Sequence, residues 1–96
     1  MGVGEPGQPA ARPELWSAPN PYSRETWIHY RLASACSVVL TVHDVTGREI
    51  ARLEEGWREA GPHALAFRGE GLASGLYWFR LAAGGRAAVH RSVVLR

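Results

Sequence analysis

Gly71-Leu-Ala-Ser-Gly-Leu-Tyr-Trp-Phe-Arg-Leu81 (GLASGLYWFRL) carries two signals in one short stretch. Tyr77, Phe79 and Leu81 alternate with Trp78 and Arg80, the period of a strand with one buried face. Just ahead, Leu72, Gly75 and Tyr77 have the spacing of a tyrosine corner. In such a corner a tyrosine near the start of a strand turns its hydroxyl back onto backbone a few residues upstream, at the edge of a Greek-key sandwich. Gly75 is expected to let the chain turn where a side chain would collide. A buried phenol is costly unless its hydroxyl is paired, and the corner supplies the partner. The stretch therefore predicts an inner strand of a β-sandwich.

The flanking sequence extends that reading. Downstream, Gly84-Gly85 permits positive φ at both central positions of a two-residue hairpin, and Ala87 to Leu95 reads as a last strand. Upstream, Pro62 opens a strand with His63, Leu65 and Phe67 on one face. Ser37 to Asp44 points Val38, Leu40 and Val42 inward, and Asp44-Val-Thr-Gly47 suits a type I turn closed by a left-handed glycine. Thr26 to Leu32 sets Ile28, Tyr30 and Leu32 against Trp27, His29 and Arg31. Glu14 to Ser17 is a short first strand that Pro19-Asn20-Pro21 interrupts, because two prolines remove two donors and fix φ. Arg48 to Gly61 is ambiguous. Ile50, Leu53, Trp57 and Ala60 fall near a helical spacing, whereas Gly56, Gly61 and the preceding turn favour a short strand to about Leu53 and then a loop.

About seven short strands result, with turn signals at sandwich spacing. The expected fold is all-β: an Ig-like antiparallel sandwich with Greek-key connections over residues 14–96. Residues 1–13 are rich in Gly and Pro with little to bury, and read as a flexible linker or disordered arm. A chain that opens on a linker reads as the end piece of something larger.

The length of 96 residues suits one domain with one modest core. Hydrophobic residues make up 46% and charged residues 21%, which argues against disorder. All 11 basic residues are Arg, none is Lys, and the net charge is only +2. The charges are scattered rather than clustered, so a nucleic-acid partner is not expected. No apolar run reaches the length of a membrane span, and the N-terminus lacks the apolar segment of a signal peptide. A single Cys36 excludes a disulfide within the chain and reads as a small, half-buried hydrophobe.

The residues offer little reactive chemistry. His43-Asp44 sits near several serines, but His43 lies on an outer strand face and Asp44 has a turn role. His29, His43, His63 and His90 lack ligand spacing and Cys36 has no companion, so neither a metal nor another cofactor is expected. No Gly-rich loop joins a strand to a helix as a phosphate cradle would. Trp27 and Trp78 fall on outward faces, where indoles can stack on sugar rings or simply cover the sheet.

Taken in order, Pro19-Asn20-Pro21, Ile28-x-Tyr-x-Leu32, Val38-x-Leu-x-Val-x-Asp44, Gly47-Arg-Glu-Ile50, Ala60-Gly-x-His63, Leu72-Ala-Ser-Gly-Leu-Tyr77, Arg80-Leu81 and Arg91-Ser-Val-Val-Leu95 resemble one family. It is the type A C-terminal sorting domain of the bacterial type IX secretion system. The chain is also similar to the related Ig-like domain of the flagellar hook-capping protein. The resemblance runs from about Ser17 to Arg96.

It implies a non-enzymatic module of a larger secreted or cell-surface protein, with an upstream cargo domain. The partners it implies are an outer-membrane translocon and a sortase that cuts near the linker. Pro19, Asn20, Pro21, Asp44, Gly47, Leu72, Gly75 and Tyr77 would be the motif's structural residues. Arg91 and Arg96 on and after the last strand would be translocon contacts. The family's closing strand commonly has Lys at the position of Arg91 and an apolar residue at that of Ser92. The missing signal peptide fits a fragment of a longer protein. Two other readings stay open: a structural Ig-like module of hook-cap or cell-surface type, and a carbohydrate-binding module using Trp27 and Trp78.

Overall fold

The computed structural model describes residues 12–96. Most of the expected N-terminal arm therefore lies outside the described residues. Seven strands follow in order: β1 (Glu14–Ala18), β2 (Glu25–Leu32), β3 (Cys36–His43), β4 (Glu49–Arg58), β5 (Gly61–Arg68), β6 (Gly75–Ala83) and β7 (Arg86–Val94). They form two antiparallel sheets, one ordered β1-β2-β5 and the other β4-β3-β6-β7. The chain changes sheet after β2, β4 and β5, which gives the Greek-key connections of an Ig-like sandwich.

Alternation in the sequence becomes layering in space. Ile28, Tyr30 and Leu32 of β2 are buried against Val38, Leu40 and Val42 of β3 and Phe79 and Leu81 of β6. The intervening Trp27 and Arg31 are exposed. A strand with this pattern can sit in only one register, since a slip by one residue would turn its apolar set to water. Phe67 of β5 meets Phe79 of β6 edge-to-face across the layers, with ring centres 5.7 Å apart and planes at 81°. Cys36 is half-buried at the margin of this core, as a small hydrophobe should be.

Both expected hairpins form. Gly47 donates to the Asp44 carbonyl at 2.9 Å, closing the turn. Asp44 Oδ1 accepts from the Thr46 hydroxyl (2.6 Å) and from the amides of Thr46 and Arg48. These bonds, the Thr46 hydroxyl foremost, hold the Asp44 carboxyl below the usual range. Between β6 and β7, Gly84 and Gly85 have φ of 56° and 81°, left-handed values that side chains disfavour.

β4 corrects the sequence reading. It continues as strand to Arg58 instead of giving way to a loop near Leu53. The cause is two β-bulges. Leu40 faces Glu54 while Thr41 faces Arg52, so Leu53 is an extra residue; Val42 faces Ala51 while His43 faces Glu49, so Ile50 is another. Each bulge shifts the two-residue period by one. Ile50, Ala51 and Leu53 can then all pack against the core. The three-residue spacing of Ile50 and Leu53 follows from these bulges, whereas Trp57 is exposed and Ala60 lies beyond the strand.

Candidate functional site

Residues far apart in sequence meet at one end of the sandwich, around the last turn of β7. The segment Pro19–Tyr22 lies along the open edge of that strand. Asn20 donates from Nδ2 to the Arg91 carbonyl (2.9 Å) and accepts from the Val93 amide through Oδ1 (3.0 Å). Its side-chain amide thus imitates a strand backbone. Tyr22 continues the pairing: its amide donates to Val93 O (3.0 Å), and its carbonyl accepts from the Leu95 amide (2.9 Å). The Ala18–Pro19 and Asn20–Pro21 bonds are both cis. Thr26, fully buried, donates its hydroxyl to Pro19 O at 2.7 Å and ties the segment to β2.

The tyrosine corner stands beside this edge. Tyr77 donates its hydroxyl to the Ala73 carbonyl at 2.8 Å, within the turn that precedes β6. Gly75 has φ of 154°, inside the region side chains rarely adopt, but a Cβ there would meet nothing within 4 Å. Backbone conformation, not the collision expected from sequence, calls for glycine. The hydroxyl bond lies in a solvent-exposed setting, so Tyr77→Phe is expected to cost about 1 kcal/mol, the net worth of one hydrogen bond. A lowered urea midpoint at unchanged m-value is the readout; an unchanged midpoint would leave the corner without an energetic role.

Arg96 closes the same end. Its amide donates to Ser74 Oγ (2.9 Å), its Nε to Leu72 O (2.9 Å), and a terminal guanidinium nitrogen to Gly69 O. Leu72 donates its own amide to Gly69 O at 3.0 Å. Beneath this loop, Tyr22 packs so closely on Gly69 that a Cβ there would come within 3.1 Å of its ring. The Tyr22 hydroxyl and that of Ser92 are buried without a partner among the described residues. Burial raises the Tyr22 pKa, and Ser92 beside it opposes the shift.

The expected contact residues differ in availability. Arg91 is exposed on the outer face of the larger sheet and forms no ion pair among the described residues. Arg96 spends its guanidinium on the loop carbonyls. Trp78 is half-buried beside Arg91, its cross-strand partner, whereas Trp27 is exposed on the other sheet. The two indoles occupy opposite outer faces and do not share a platform.

His90 joins β7 to β1. Its Nε2 lies 3.1 Å from Ser17 Oγ and 3.5 Å from Asn20 Nδ2. An amide nitrogen can only donate, so a neutral ring accepting at Nε2 suits both neighbours. Burial holds its pKa below the usual 6.5. The unfolded chain then binds the proton more tightly than the folded one. Stability is complete above the unfolded value and is lost as pH falls towards the lowered folded value. Between about pH 7 and pH 5 the wild-type urea midpoint is expected to fall more than that of His90→Gln. Equal falls would contradict this.

Sequence reasoning missed a second polar cluster, on the open side where β4 and β5 form the sheet edges. Tyr30, fully buried, donates to Glu54 Oε1 at 2.5 Å. Arg58 Nε lies 3.4 Å from that oxygen. His63 stacks on Tyr30 with ring centres 4.9 Å apart and donates from Nε2 to the Glu59 carbonyl at 2.8 Å. Burial and the bond to the carboxylate both raise the Tyr30 pKa. The hint in the sequence was Gly56 inside a strand, where φ is 134°, a value side chains rarely adopt, and where a Cβ would reach Arg58 only at ordinary contact distance. The Tyr30–Glu54 bond links β2 of one sheet to β4 of the other, and so ties the two layers together at this edge.

Among the described residues no group of three or more His, Cys, Asp or Glu converges as metal ligands. No helix among them is long and apolar enough to cross a membrane. No protein-family model matches the chain, and no curated protein sequence matches it.

Proposed function

We propose that residues 14–96 form a non-enzymatic sorting module, a folded address that directs a larger extracellular protein through the outer membrane by type IX secretion. One observation supports this reading above the others. The motif residues Asn20, Leu72 and Tyr77 gather with Tyr22 and Arg96 around the final strand. None of them is arranged for chemistry; together they fix the shape of one strand end. A translocon that reads a shape needs such a fixed feature, because a segment ordered in advance loses less entropy on binding. Arg91 is the exposed charge beside that feature and is the contact we assign to the translocon.

The test is delivery. A reporter with a signal peptide at its N-terminus and residues 14–96 at its C-terminus is expected to reach the surface of a host that has this secretion system. Asn20→Ala should lower the surface fraction, and Arg91→Ala should lower it without changing the fold. Full retention of the wild-type fusion in the periplasm would defeat the proposal.

A further inference from the structure

The outer face of the β1-β2-β5 sheet carries two exposed indoles, Trp16 and Trp27. Pairing registers place its side chains in rows across the strands. Glu14, Arg31 and Pro62 form one row; Trp16, His29 and Ala64 the next; Ala18, Trp27 and Ala66 the third. Trp16 is 41% exposed and Trp27 is 48% exposed. Trp16 stacks on His29 with ring centres 5.3 Å apart and planes at 8°. Trp27 stands between two alanines, so its indole rises above low neighbours.

At the Arg31 end the face runs into a recess of about 420 Å³. Arg12, Glu14 and Arg31 line it, with Ala33, Ala60 and Gly61 alongside. Neither arginine has an ion pair among the described residues. The aromatic rows and the recess are therefore continuous along β2, with successive outward residues roughly 7 Å apart.

We propose that this face binds an acidic oligosaccharide, a short uronate chain laid along β2. Its carboxylate would enter the recess, and its neighbouring rings would stack on Trp16 and Trp27. Size argues for a small ligand. Three strands by three rows span roughly 10 Å by 14 Å, far less than the ~800 Å² per partner of a stable protein interface. A recess of this volume suits a small molecule. Charge argues for acid: two guanidiniums against one carboxylate leave a net positive recess, and the guanidinium fork matches a carboxylate in a paired geometry. Glu14 is left to accept from sugar hydroxyls. Exposed indoles supply the apolar surface on which the C–H faces of pyranose rings pack. The inference does not depend on the sorting role, and its test does not involve secretion.

The probe is short oligogalacturonate, with its fully methyl-esterified form as the uncharged counterpart, followed by tryptophan emission and titration calorimetry on the full chain. Saturable binding of the acid is expected, with the ester weaker by about tenfold or more, as loss of a charge-assisted hydrogen bond implies. Arg31→Gln and Trp27→Ala should each weaken binding by a similar factor. Trp57→Ala, on the other sheet, should leave it unchanged. If Trp27→Ala does not fold, Trp16→Ala reads the same surface. Absence of saturable binding, equal affinity for acid and ester, or indifference to both the Arg31 and tryptophan substitutions would each overturn the proposal.

Discussion

Phe79→Ala is expected to destabilise the domain by about 3–5 kcal/mol, the range for truncating a buried aromatic. Phe79 is fully buried on β6 and meets Phe67 of β5 edge-to-face. The pair joins the two sheets, so truncation removes more than one ring's transfer energy. It opens a cavity that neither sheet can close without moving, and it strips Phe67 of its partner. A domain of this size has on the order of 5–15 kcal/mol of total stability, and small cores lie at the lower end. The variant should therefore unfold at a much lower urea concentration, with m-value unchanged while it remains folded in water. A loss under about 1 kcal/mol would mean that the layers are not joined through these rings.

Glu54→Ala carries the second large effect, about 2–3 kcal/mol. The carboxylate accepts from the buried Tyr30 hydroxyl and faces Arg58. Its removal leaves a buried phenol unpaired and a half-buried guanidinium without its counter-charge. The cost arises chiefly from those stranded partners rather than from the pair itself, whose net worth is small. That origin makes a sharper expectation. In Tyr30→Phe the donor is gone, so adding Glu54→Ala should cost much less than it does in the wild type. Additive losses in this double-mutant cycle would show that the Tyr30–Glu54 bond is not coupled.

Much of this fold was legible because strand periodicity and turn chemistry agree. β2, β3 and β6 announce themselves by alternation, and Asp44–Gly47 and Gly84–Gly85 by residues that only particular turns demand. Tyr77 is legible for a different reason: a corner uses local backbone as its partner, and Ala73 is only a few residues away. β4 was not legible beyond Leu53. Two bulges set Ile50 and Leu53 three residues apart on the core side, a spacing that sequence cannot tell from a helical stripe, and beyond them exposed Trp57 continued that false stripe. Gly56 and its neighbours looked like loop, but strand hydrogen bonding overrides a single glycine.

The candidate sites were less legible because they depend on which edges meet. Nothing in Pro19-Asn20-Pro21 says that Asn20 will pair with β7, about 70 residues away. Likewise, Trp27 and Trp78 both alternate outward, and only the sheet order reveals that they face opposite sides. The neighbour of Trp27 on its own face is Trp16, a residue the periodicity of a short first strand did not single out. Arg96 reads as a free charge in sequence and lies across a loop in space.

The central claim is that the Pro19–Tyr22 segment fixes the last strand by completing its open edge. Amide hydrogen exchange reads this directly at Val93 and Leu95, whose N–H groups would otherwise face water. Both amides are predicted to exchange slowly, with protection approaching that of Phe79 on β6, and Asn20→Ala should release Val93 first. Exchange of Val93 and Leu95 at the rate of free amides in the wild-type protein would contradict the account.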